Sequence, residues 1–166
     1  MNNNSELIVL FDSISDFDDL DEIISNSESK IISFDYDTHR LLKNKKIIHE
    51  TSDKYLSKSD LRVIQKTAYS VSEWYSDNAI SKYRLSYSEV NLGSLVKEEL
   101  ITILVSYIKK FFELYKISKQ FTDSTFIGSQ VCCKIMENFS EKLVEFKNSK
   151  INNSQLIPLD SMKIKM

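Results

Sequence analysis

Two glycines and one proline in 166 residues constrain this chain more than any motif it carries. Average usage would supply about a dozen Gly and eight Pro. Tight two-residue hairpins lean on glycine for their positive φ angles, so an all-β fold rich in hairpins is disfavoured. Collagen-like and Gly-rich linker readings fail for the same reason. What remains is a chain of helices and strands joined by ordinary turns. At 166 residues and 42% hydrophobic, it has the length of one domain and enough apolar surface for a core.

The apolar pattern gives those elements an order. Residues 7–11 (Leu-Ile-Val-Leu-Phe) form a short unbroken apolar run, the pattern of a strand buried on both faces. An acidic helix follows, with Phe17, Leu20, Ile23 and Ile24 at helical spacing. A second strand is expected over 31–34, a short helix around Leu41 and Leu42, and a third strand over 46–49. Strands alternating with helices point to a parallel sheet covered by helices. Ser57 and Asp60 have capping-box spacing ahead of a helix carrying Leu61, Ile64, Ala68, Val71 and Tyr75 on its inner stripe. The longest helix is expected over 94–119. It is apolar enough on several sides (Leu100, Leu104, Ile108, Phe111, Tyr115, with Ile101, Val105 and Phe112 beside them) to be read as deeply buried. A strand over 125–127 and a helix over 130–148 complete the pattern, with an extended piece at 156–159. The expected architecture is therefore α/β: a Rossmann-like three-layer sandwich with a mainly parallel sheet and a long buried central helix.

Charge and cysteine usage exclude several function classes. Charged residues are 28% and the net charge is −2, which argues against a chain built to neutralise nucleic acid. Cys132 and Cys133 are adjacent, which suits no disulfide framework and favours a reducing, cytoplasmic setting. The first residues lack the basic start of a signal peptide. The apolar run 100–108 meets Lys109 and Lys110 well short of the roughly 20 residues a spanning helix needs, so no membrane span is expected, and only peripheral attachment stays open. His39 and His49 are isolated in sequence and no Cys-x-x-Cys pair occurs, so neither a metal nor another cofactor is expected.

Open parallel sheets bind ligands beyond the carboxyl ends of their strands. Three such exits carry polar residues here: Asp12 with Ser13, Asp35 with Tyr36, and Gly128 with Ser129. The aspartates accept hydrogen bonds from hydroxyls. Gly128 and Ser129 at a helix start suit an anion, although a turn and a helix cap explain them more readily. Asp35-Tyr36-Asp37-Thr38 is one position out from the pattern of a Mg²⁺-dependent phosphatase that uses an Asp nucleophile. Trp74 and Tyr75 read as core, and Tyr83 and Tyr87 stay open as sugar-stacking candidates.

Three stretches carry a family resemblance: Ile31-Ile32-Ser33-Phe34-Asp35-Tyr36; then Ile48-His49-Glu50 leading to Asp53-Lys54-Tyr55-Leu56; then Trp74-Tyr75 followed by Asn91-Leu92-Gly93. In these the chain resembles the amino-terminal domain of GT-B-type glycosyltransferase-like proteins of microbial surface polysaccharide biosynthesis, over most of residues 5–166. The resemblance implies a Rossmann-like half that faces a glycan acceptor, with the nucleotide-sugar held mainly by a second domain or subunit. The chain is then a single α/β domain over 1–166, the amino-terminal half of a longer two-domain protein, and not catalytic alone. It also adds Asn91 and Gly93 as the opposite wall of the crevice. Two other readings stand beside it: a stand-alone α/β module binding a small ligand or a protein, and a phosphatase built on Asp35 and Asp37.

Overall fold

The computed structural model describes residues 6–26, 28–76, 86–87 and 90–147. Its centre is a five-stranded, all-parallel sheet in the order β3-β2-β1-β6-β7. The strands are β1 (Leu7–Phe11), β2 (Ser29–Ser33), β3 (Glu50–Thr51), β6 (Thr125–Gly128) and β7 (Leu143–Glu145). A separate two-stranded ribbon pairs β4 (Ser86–Tyr87) with β5 (Val90–Asn91). The helices are α1 (Phe17–Asn26), α2 (Tyr36–Asn44), α3 (Lys58–Ser72), the single turn α4 (Leu92–Leu95), α5 (Lys97–Gln120) and α6 (Gln130–Met136).

The unbroken apolar run of β1 has the expected cause. Successive side chains of a strand point to opposite faces, and both faces of this sheet are covered. Ile8 and Leu10 meet Leu114 and Ile117 of α5, with Cys132 and Met136 of α6 in the same cluster. Val9 and Phe11 belong to the cluster that holds Leu20 of α1 and Leu42 of α2. Ile8, Val9, Leu10 and Phe11 are all fully enclosed, which identifies β1 as the middle of a three-layer α/β sandwich.

Four expectations need correction. The third strand is not at 46–49. Lys46 adopts a left-handed conformation (φ 59°) and Ile48 is 93% exposed, so the chain turns there and pairs only at Glu50–Thr51. The helix expected over 130–148 ends at Met136, because Leu143–Glu145 leaves it to pair with β6 as an edge strand. In α3 the buried stripe is Ile64, Ala68 and Ser72, while Leu61 and Val71 face solvent; Trp74 is about half exposed. The long helix forms where expected, but its full burial is confined to Glu113, Leu114, Ile117 and Ser118.

That uneven burial follows from length. A helix of 24 residues spans about 36 Å, whereas a five-residue strand spans about 17 Å. Lys109 and Lys110 sit at the carboxyl edge of the sheet, so residues 97–108 overhang it by about 18 Å. The overhang leaves Ile103 and Tyr107 well exposed. Helix α3 runs antiparallel beside α5, pinned by Asp60–Lys116 at one end and Glu73–Lys97 at the other, each 2.9 Å. Its first turn is the capping box read from sequence, Ser57 and Asp60 each bonding the other's backbone. Among the described residues no helix is long and apolar enough to cross a membrane. The piece at 156–159 and Tyr83 lie outside the described residues.

Candidate functional site

Because β2, β1 and β6 are adjacent and parallel, the exits at Asp35, Asp12 and Gly128 share one edge of the sheet. Two strand spacings, about 10 Å, separate the outer two. Most of the residues expected there have structural work. Asp35 caps α2: its Oδ1 accepts from the Thr38 amide at 2.7 Å, and Thr38 Oγ1 accepts from the Asp35 amide. Ser13 caps the 3-10 turn Ile14–Asp16 and bonds Ser15. Ser129 is buried, and its hydroxyl accepts from the Cys132 amide. Gly128 packs so closely that a Cβ there would lie 3.2 Å from the Cβ atoms of both Leu10 and Cys132. Gly128 and Ser129 therefore serve packing and capping, and α6, at seven residues, is too short to offer an anion site.

Asn91 and Gly93 do not form an opposite wall. Asn91 Oδ1 accepts from the Gly93 amide to start α4, and Gly93 lies against Tyr75 beyond the end of α3. This is the far end of the helical overhang, near Lys97 and about 18 Å along α5 from Lys109.

What the edge does contain comes from α5. Lys109 and Lys110 are consecutive and reach two different strand exits. Lys110 donates to Asp12 Oδ2 just past β1, and Lys109 lies 2.7 Å from Asp53 Oδ1 just past β3. The Asp12 side chain is 6% exposed, and its Oδ1 is enclosed with no hydrogen-bond partner among the described residues. Burial works against the Lys110 charge, but the Cys132 sulfur when ionised, then Asp12 and Asp35, outweigh burial and raise its pKa. Burial, then the charge of Asp12, raises the carboxyl pKa of Asp16 nearby. Burial, then the charge of Asp12, likewise pushes the Cys132 thiol well up. Cys133 is pushed up to about 11, by burial first and Glu145 second.

Beyond β2 and β3 this edge opens into a cavity of about 240 Å³ lined by Ser33, Phe34, Asp35, Tyr36, His39, Thr51, Ser52, Asp53 and Lys109. Behind it Ser52 Oγ donates to the buried Glu113 at 2.9 Å, and Lys109 also approaches Glu113 at 3.5 Å. Burial raises the Glu113 pKa more than Lys109 and Ser52 lower it. Tyr36 is 73% exposed at the rim, with the Arg40 guanidinium 5.7 Å from its ring centre. Asp37 pairs with Arg40 on the solvent side and is not part of the lining.

Family models, curated proteins and solved structures offer no match to this chain. Of the residues expected from sequence, Asp35 and Tyr36 line the cavity, and Asp12 stands one strand away. His39, Ser52, Asp53 and Lys109 were missed as site residues. The Lys109-Lys110 pair interrupting an apolar helix was a visible signal, since two buried-side lysines need carboxylate partners. A second concavity of about 230 Å³ opens between α1 and the β6–β7 edge, over Leu7, Ile23, Ile127, Val144 and Phe146, and its lining is mainly apolar. Among the described residues no three His, Cys, Asp or Glu side chains converge as a metal ion would require.

Proposed function

We propose that this chain is the acceptor-side, Rossmann-like domain of a glycosyltransferase-like protein of surface polysaccharide biosynthesis, holding one sugar unit of its acceptor beyond β2 and β3. The observation that carries this reading is the cavity itself. Its walls bring Asp35, His39, Ser52, Asp53 and Lys109 together, and it sits at the strand exits where parallel sheets bind ligands. At about 240 Å³ it is smaller than the roughly 300–1,000 Å³ that encloses a drug-sized ligand, so it suits one ring better than a nucleotide-sugar. Asp35 and Asp53 oppose a diphosphate there and accept hydrogen bonds from sugar hydroxyls. The donor then belongs to a second domain or subunit, and the chain alone has no turnover.

The phosphatase reading gains nothing from the geometry. Asp37, the second carboxylate that reading needs, is an exposed partner of Arg40 outside the cavity. A stand-alone binding module would use the same cavity and differs only in lacking a partner domain.

Amide chemical-shift titration tests the reading. Glycan fragments should bind weakly and move residues 33–36, 51–53 and 109, while nucleotide-sugars should leave them in place. Shifts confined to the apolar concavity beside β7 would overturn the site. Sugar transfer by this chain alone would overturn its dependence on a second half.

A further inference from the structure

The chain's two histidines meet in space. His39 Nδ1 lies 2.8 Å from His49 Nε2, and His49 Nδ1 lies 2.8 Å from the carbonyl oxygen of Ile47. The left-handed turn at Lys46 makes this possible, with the Ile47 amide donating back to Leu42 so that the chain returns past α2. The chemistry of these contacts fixes both rings. A carbonyl only accepts, so His49 Nδ1 carries a proton. A neutral imidazole has one N–H, so His49 Nε2 is a lone pair, and His39 Nδ1 must donate to it. His39 is left with a bare Nε2. One backbone carbonyl thus sets the tautomer of a ring two hydrogen bonds away.

His39 is also part of the cavity lining, and its locked tautomer adds an acceptor there. The acceptors are His39 Nε2 and the carboxylates of Asp35 and Asp53. The Lys109 charge is compensated by two carboxylates, Asp53 and Glu113, which take two of its three N–H groups, and the Ser52 hydroxyl donates to Glu113. We infer that this cavity selects an uncharged polyhydroxyl ligand, a neutral sugar ring whose hydroxyls donate to His39 Nε2 and the flanking carboxylates, and rejects uronates and sugar phosphates. His39 is the specificity residue and His49 its positioning residue. The ligand class rests on the acceptor reading above; the tautomer assignment does not.

The test uses the full chain at pH 8, above the ordinary imidazole value of about 6.5. Long-range ¹H–¹⁵N spectra of the histidine rings should show Nδ1 protonated and Nε2 bare in both. A neutral methyl glycoside should shift the His39 Nε2 resonance and bind at least about tenfold more tightly than glucuronate or glucose 6-phosphate. His39→Phe should weaken that binding about tenfold, the scale of one hydrogen bond. His39→Gln, which keeps an acceptor, should recover part of it. His49→Phe, which frees the His39 tautomer, should weaken it several-fold. A wild-type His39 ring protonated at Nε2 overturns the inference without any substitution. So do anions that bind as well as the glycoside, or glycoside binding unaffected by His39→Phe, and these outcomes leave the acceptor reading intact. Correct tautomers with no sugar bound at any face overturn the acceptor reading and the ligand class together.

Discussion

Replacing Lys110 with methionine keeps the side chain's length and apolar stem and removes only the charge that Asp12 faces. Asp12 is 6% exposed and its Oδ1 already lacks a hydrogen-bond partner, so the substitution strips its carboxylate of its ion-pair partner in a nearly closed space. Breaking a buried pair from one side costs about 3–5 kcal/mol. Lys110 itself is 26% exposed, which places the expected loss at the lower end, about 3 kcal/mol. For a chain this long that is a fall of about 6–12 °C in Tm. In urea, with a slope near 2 kcal/mol/M, the midpoint should drop by about 1.5 M while the slope stays constant. Adding Asp12→Asn removes the stranded charge and should recover about half of the loss. Alkaline titration gives an independent sign. The raised folded pKa of Lys110 means that its contribution is complete below the ordinary lysine value of about 10.4 and fades as pH climbs through the folded value. A loss below about 1 kcal/mol, or a double variant no better than Lys110→Met alone, would refute this account of the pair.

Three further expectations follow from the same geometry. Asp16 is buried and its carboxyl pKa is raised, so its charge opposes folding at neutral pH; Asp16→Asn should stabilise by about 0.5–1 kcal/mol at pH 7 and lose that advantage toward pH 4, as denaturation midpoints across pH would show. Glu50 is held down to about 2, chiefly by Lys54 and Tyr55. Its contribution should be complete above the ordinary glutamate value and disappear as pH falls toward 2. Glu50→Gln should cost about 1–2 kcal/mol at pH 7 and little at pH 2. At Gly93 an added Cβ would lie 2.6 Å from Tyr75, so Gly93→Ala should destabilise by about 1–3 kcal/mol in urea titration without changing sugar binding, because this residue is far from the cavity.

The sheet was legible because its signal is local. β1 sits between two other strands with helices on both faces, so each of its residues is apolar and the run stands out without an alignment. The edges were not legible, for the same physical reason. β3 is two residues long and β7 is three, with Val144 and Glu145 exposed, so neither shows alternation or an apolar run. Leu143 and Phe146 also fit the stripe of an extended α6, and only pairing with β6 decides between the two. At the site, Asp35 could be named because a strand exit is a place in sequence. His39 with His49, and Lys109 with Asp53, are pairs made by a left-handed turn and by the length of α5. The lysines signal that carboxylates must lie nearby, but local sequence shows neither which carboxylate Lys109 reaches nor that the two histidines meet.

The most direct test of the central claim is paramagnetic broadening by a nitroxide-labelled neutral monosaccharide added to the ¹⁵N-labelled chain. A sugar held beyond β2 and β3 removes amide intensity centred on residues 33–36, 51–53 and 109, with Leu7, Ile127 and Val144 spared. Broadening centred instead on Ile23, Ile127, Val144 and Phe146 would place the ligand in the apolar concavity and contradict it.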